Sequence, residues 1–164
     1  MEGNKLCSVA GKSIFFMDYG LDEKYYKYID MKLAISKKLS ELIGLGVDGF
    51  ICSAEYGFPL WVCEILLGMR SFNKAKLFIV MPFEEQAVKW TDEVRERFYD
   101  VHANADEVKM IRRQYHEDCY RICDKIIVDK GDMLLTDDLG GFAAQYAEIS
   151  GKPVNTYEAL SRNC

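Results

Sequence analysis

The stretch AKLFIVMPF (Ala75–Phe83) constrains this chain more than any other. A continuous apolar run with β-branched members, stopped by a proline, marks a strand covered on both faces, as the strands of parallel sheets are. KLCSVAG (Lys5–Gly11), DGFICS, DEVKMI, DMLLTDD and KPVNTYE read as shorter strands around it. Between them, apolar residues recur at helical spacing. Tyr25, Ile29, Leu33, Leu39 and Ile43 form one stripe from Lys24 to Ile43, stopped by Gly44 and Gly46. Phe58–Met69 is apolar nearly all round and so predicts a sandwiched helix, with Pro59 in a first turn where a missing N–H is harmless. A polar helical region spans 84–103, broken near Trp90. Cys119, Ile122, Cys123, Ile126 and Ile127 line one face of a helix over His116–Val128, and Gly151 closes a last helix over Phe142–Ser150. Phe15–Lys24 reads as an aromatic loop. This alternation predicts an α/β fold: a three-layer, Rossmann-like domain with a mostly parallel sheet of five to six strands and helices on both faces. The length, 164 residues, fits one domain over 1–164.

Composition narrows the partners. The chain is 49% hydrophobic and 29% charged, an ordinary globular balance. Its net charge of -5 argues against a nucleic-acid partner, whose backbone demands a basic face. MIRRQYH, around Arg112 and Arg113, is the one basic candidate, and it reads as solvated or as holding an anionic ligand. No membrane partner is expected, because Phe58–Met69 is too short to span a bilayer and contains Glu64. The start, MEGNKLCSVAGKS, lacks the form of a signal peptide, which points to the cytosol. The 6 cysteines then read as reduced, mostly buried thiols. Cys119 and Cys123 share a helix face, but with only 2 histidines in the chain no metal site is expected.

In open parallel sheets, ligands bind beyond the carboxyl ends of the strands, where the strand order reverses. That rule gathers three loops at one rim: Gly11-Lys12-Ser13, Ser53 to Phe58, and Asp137 to Phe142. Free amides at a helix N-terminus attract anions. One terminus contributes only about 0.3–1 kcal/mol, whereas micromolar binding needs about 8 kcal/mol. Several amides, a cation and stacking surfaces must therefore converge. Lys12 is the candidate cation, Gly57, Gly140 and Gly141 offer backbone donors, and Tyr56, Phe142 or Trp61 offer rings. Glu55 and Glu64 become general acids or bases if desolvated. Structural readings stand beside these. Ser53 can simply end a strand, Gly57 can serve backbone freedom alone, Trp61 can be core, and Gly140-Gly141 can be only a turn. Neither a Gly-x-Gly-x-x-Gly nor a phosphate-loop signature is present.

Taken together, ICSAEYGFPLWVCEIL, IVMPFEEQAVKW and YRICDKIIVDKGDMLLTDDLGGFAAQYAEISGKPV resemble the YpsA-like family. That family belongs to the SLOG superfamily, which also holds DprA-type and LOG-type domains. The resemblance runs from Lys5 to about Val154. Ser53, Gly57 and Trp61 match the block after the second strand, while Ala54 and Pro59 replace its first glycine and its acid. Pro82, Phe83 and Trp90 match a Pro-Phe…Trp segment. Arg121, Val128, Asp129 and Gly141 fit the block near the last strands, where Ile122 and Phe142 depart from it. Gly11-Lys12 matches the first loop.

The resemblance implies a nucleotide or nucleotide-derived ligand, with NAD and ADP-ribose among the candidates, bound for sensing or regulation. Lys12, Ser53, Gly57 and Gly141 would form the phosphate side, Tyr56 and Phe142 the base side, and Arg112 or Arg121 would add charge. Two alternatives stay open. One is a nucleoside-phosphate N-glycosidase using Glu55, Glu64 or Glu148. The LOG-type block Gly-Gly-x-Gly-Thr-x-x-Glu argues against it, since Ala143-Ala144 replace Gly-Thr and Glu148 falls one residue late, turned by ~100°. The other is an interaction module whose rim has decayed. Phe58–Met69 packs either within one subunit or across a homodimer.

Overall fold

The structure, a computed structural model, describes residues 5–157. The six strands are β1 (Lys5–Val9), β2 (Val47–Cys52), β3 (Lys76–Met81), β4 (Glu107–Met110), β5 (Met133–Leu135) and β6 (Val154–Asn155). All pair in parallel, in the order β4-β3-β2-β1-β5-β6. The chain winds outward from β1 to β4, then crosses back to lay β5 on the other side of β1. The reversal between β1 and β5 is the switch point.

Right-handed crossovers send the helices of the two halves to opposite faces. α1 (Tyr26–Gly44), α2 (Phe58–Gly68) and α3 (Asp92–Asn104) pack side by side, while α4 (Cys119–Lys130) and α5 (Phe142–Ile149) pack together over β1, β2, β3, β5 and β6. The result is the Rossmann-like sandwich that the alternation predicts.

α2 shows why a nearly all-apolar helix needs burial. Phe58, Leu60, Trp61, Cys63 and Leu66 are fully buried between α1, α3 and the sheet. Trp61 is therefore core and not a stacking surface. Its indole N–H donates to Glu23 Oε1 at 2.6 Å. Arg97, on α3, donates to both Glu23 (2.6 and 2.9 Å) and Glu64 (2.7 and 2.9 Å), and Lys32 adds a contact to Glu23 at 3.1 Å. Burial alone would raise the pKa of Glu23, but Arg97 and then Lys32 draw it down to about 2. This network fastens the loop before α1 to α2 and α3.

The polar segment expected to be helical from Glu84 becomes so only at Asp92. Thr91 caps the helix by accepting from Val94 N–H at 3.4 Å, with Asp92 and Glu93 in the first turn where the dipole favours acids. Residues 84–90 form turns instead, which tuck Gln86, Ala87 and Trp90 into the interior.

Cys7, Cys52, Cys63, Cys119 and Cys123 are free and buried. The Cys123 thiol donates to Val80 O at 3.3 Å, so this pair packs the core. Cys164 lies outside the described residues. Among the described residues no helix is long and apolar enough to cross a membrane.

Candidate functional site

The first rim loop leaves β1 through Gly11. A Cβ there would lie 2.1 Å from Asp137 Oδ1 and 2.6 Å from Phe58 Cδ1, so only glycine lets the β1 and β5 loops close up. Lys12 N–H then donates to Asp137 Oδ1 at 2.9 Å. The loop next pairs with the start of α2 through an antiparallel bridge between Ser13 and Gly57. Ile14 N–H donates to Tyr56 O at 2.8 Å, and Phe58 N–H to Lys12 O at 3.1 Å. Gly57 has φ +139°, and a Cβ would meet Ile14 N and Lys12 O at 2.5 Å.

That bridge decides what the start of α2 can do. The Phe58 amide is taken by Lys12, Pro59 has none, and Leu60 N–H donates to Glu55 O at 2.9 Å. The amides just after Gly57, expected to face an anion, are thus bonded within the protein. α5 differs. Gly141 is its N-cap and donates to Asp138 O at 3.0 Å, while no side chain among the described residues caps the first turn. A Cβ at Gly141 would fall 2.5 Å from Asp138 Oδ2.

At the switch point lies a cavity of about 1070 Å³. Gly11, Lys12, Ser53, Glu55 and Phe142 line it, so five of the sequence-predicted residues do come together. Phe83, Gln86 and Trp90 supply one wall from the segment after β3, and Tyr115, Tyr120 and Asp124 another from around α4. Arg121 stands at the edge, its guanidinium 5.2 Å from the centre of the Phe142 ring. The remaining residues stand off the cavity. Tyr56 is buried behind it, its ring 5.8 Å from Trp90 and its hydroxyl donating to Glu23 at 3.3 Å. Gly57 serves the bridge. Gly140 accepts from the Gln145 side chain at 3.1 Å, and Arg112 is exposed beyond β4. Of the three candidate catalytic carboxylates, Glu64 is held by Arg97 and Glu148 is exposed on α5, while Glu55 faces the cavity.

The electrostatics are those of an acid-lined interior. Burial pushes Glu55 up to about 7, opposed by a hydrogen bond from Gln86 and helped by nearby Asp124. Burial alone lifts Asp124 to about 7 as well. Asp137, behind Lys12, is raised by burial to about 6. Carboxyl groups titrating near neutrality in one cavity are a recognised mark of functional sites. Gln86 is 4% exposed, and its Nε2 donates to Ser53 O at 3.2 Å and Glu55 Oε2 at 3.1 Å. Its Oε1 has no partner among the described residues. The positive charge lies at the edge, on Lys12, Lys89 and Arg121.

Gln86, Tyr120 and Asp124 were not among the sequence candidates. A signal for two of them exists. Tyr120 and Asp124 are four apart on α4, each beside a member of the buried Cys119–Cys123 stripe, so both share the flank of that stripe.

A family profile, YpsA, described as the YspA SLOG family, matches residues 15–139. A UPF0398 protein of Halalkalibacterium halodurans is 28% identical over 128 residues, covering 74% of this chain and 68% of that one. A UPF0398 protein of Oceanobacillus iheyensis is 24% identical over 136 residues, covering 80% and 74%. Among solved structures, DNA processing protein A from Helicobacter pylori superposes with a TM-score of 0.63 at 11% identity, over 93% of this chain and 64% of that one. That structure was described for its single-stranded DNA binding mode. The likeness overturns the exclusion of nucleic acid drawn above from net charge. A protein of the same fold binds single-stranded DNA, and charge summed over a molecule does not decide the matter. Local basic patches and stacking rings set such binding.

Proposed function

Since the chain belongs to the YpsA SLOG family, whose profile matches most of it, we propose that the switch-point cavity binds a nucleotide or nucleotide-derived ligand. The observation that carries this reading is the pairing of aromatic walls with an acidic interior and a basic edge in one cavity. Phe83, Trp90, Tyr115 and Phe142 offer rings for a base, each stacking contact contributing roughly 1–3 kcal/mol. A phosphate placed deep inside would meet Glu55 and Asp124, so it belongs at the mouth. There Lys12, Lys89, Arg121 and the uncapped first turn of α5 favour negative charge. The free, buried cysteines fit a reducing compartment, the cytosol.

Thermal melting with adenosine, AMP, ADP, NAD and ADP-ribose tests the reading. A ligand at a hundred times its Kd stabilises by about 2.7 kcal/mol, and each kcal/mol moves the Tm of a chain of this size by about 2–4 °C. The expected result is a rise of several degrees with at least one ligand, reduced by Lys12→Ala for phosphate-bearing ligands but not for nucleosides. Melting curves unmoved at millimolar ligand would end the proposal.

A second reading takes the same cavity as the seat of a base from single-stranded nucleic acid, with the exposed Arg112 and Arg113 tracking its backbone. The likeness to the Helicobacter pylori protein favours it. Oligonucleotides binding far more tightly than mononucleotides, with a steep loss on adding salt, would select it.

A further inference from the structure

We propose that the buried end of the cavity reads N–H donors and thereby selects guanine over adenine and uracil, an inference that rests on the nucleotide reading above. Above pH 7, where Glu55 and Asp124 ionise, the groups at that end are acceptors. Gln86 Oε1 is enclosed and has no partner among the described residues, while Nε2 is fixed by bonds to Ser53 O and Glu55 Oε2. The carboxyl groups of Glu55 and Asp124 line the same interior, and Asp124 accepts no hydrogen bond among the described residues. Buried acceptors demand donors, because leaving them unmatched forfeits their hydration without return.

The bases differ in what they offer along the pairing edge. Guanine presents two adjacent donors, the ring N1–H and the 2-amino group, which match the fork of one carboxylate. Adenine places a ring acceptor beside its amino group, and uracil sets one donor between two carbonyl oxygens. Both would push a lone pair toward Glu55 or Asp124. Guanine also carries one carbonyl acceptor, O6, which the Tyr120 hydroxyl on the neighbouring wall can meet as donor. The 2-amino group is the atom set that distinguishes guanine from hypoxanthine, so inosine separates recognition of the carboxylate fork from recognition of the purine ring.

The experiment is titration calorimetry at pH 8 on the full chain, with GMP, IMP, AMP and UMP as probes. GMP is expected to bind about tenfold or more tightly than AMP and UMP, with IMP between them, the discrimination typical of a bidentate base contact. Glu55→Gln should bring GMP and AMP to similar affinity while its thermal melt confirms a folded chain. Should that variant not fold, Asp124→Asn and the wild-type difference between GMP and IMP carry the test. Equal affinity for all four nucleotides would overturn the base preference and leave the nucleotide reading standing. A GMP preference unchanged in Glu55→Gln would overturn the assignment of the acceptor. Binding of none of the four would remove both.

Discussion

Asp124 lies in the buried interior of the cavity and accepts no hydrogen bond among the described residues. Burial raises its carboxyl to about 7, and that shift has a sign. Between its ordinary value near 4 and about 7, the unfolded chain ionises the group while the folded chain keeps the proton. The unfolded form gains, so folding stability falls as pH rises through that window and the loss is complete above it. Asp124→Asn, which cannot ionise, is expected to stabilise the protein by about 1–3 kcal/mol at pH 8, less than the full shift because the side chain retains some solvent contact. The same substitution should change little at pH 4. Urea unfolding at the two pH values checks this, and equal effects at both would refute it. Asp124 thus weakens the fold from a position on the cavity wall, a trade that functional residues commonly make.

Among elements, the loop before α1 is clamped to α2 and α3 by side-chain bonds. Glu23 accepts from Arg97, Lys32, Trp61 and Tyr56. Arg97→Ala would leave Glu23 and Glu64 facing each other without the guanidinium, at a cost of about 2–4 kcal/mol and a Tm fall of roughly 5–15 °C. A change under 2 °C in a thermal melt would show the clamp to be decorative. None of this was legible in the sequence, because Glu23 and Arg97 are 74 residues apart and no local pattern links them. The elements themselves were legible wherever one force dominated. Ala75–Phe83 and Phe58–Met69 are apolar enough that only full burial suits them. Residues 84–90 were misread as helix, since helical spacing there competes with the need to seat Gln86, Ala87 and Trp90 inward. The cavity was half legible for a related reason. Gly11, Lys12, Ser53, Glu55 and Phe142 follow from where parallel strands end, whereas Gln86, Tyr120 and Asp124 depend on how a turn and α4 are set against the sheet.

For the whole molecule, these carboxyl groups combine into a stability profile with two limbs. Glu23, lowered to about 2, contributes stability that is present above about 4.5 and lost as pH falls toward 2. Glu55, Asp124 and Asp137, raised to about 7, 7 and 6, withdraw stability as pH rises from about 4 to 7. The Tm is therefore expected to peak near pH 5 and to be lower at both pH 3 and pH 8. A profile flat from pH 5 to 8 would contradict the burial of these groups. Charge distribution carries the same lesson for partners: a sum of -5 hides a basic edge around an acidic interior.

Because Ser13 and Gly57 are joined backbone to backbone, the segment bearing Lys12 and the start of α2 form one stiff span. Within a turn of that start, Trp61 grips Glu23, and Glu23 grips Arg97. The mouth of the cavity, α2 and α3 are thus joined by one unbroken run of bonds.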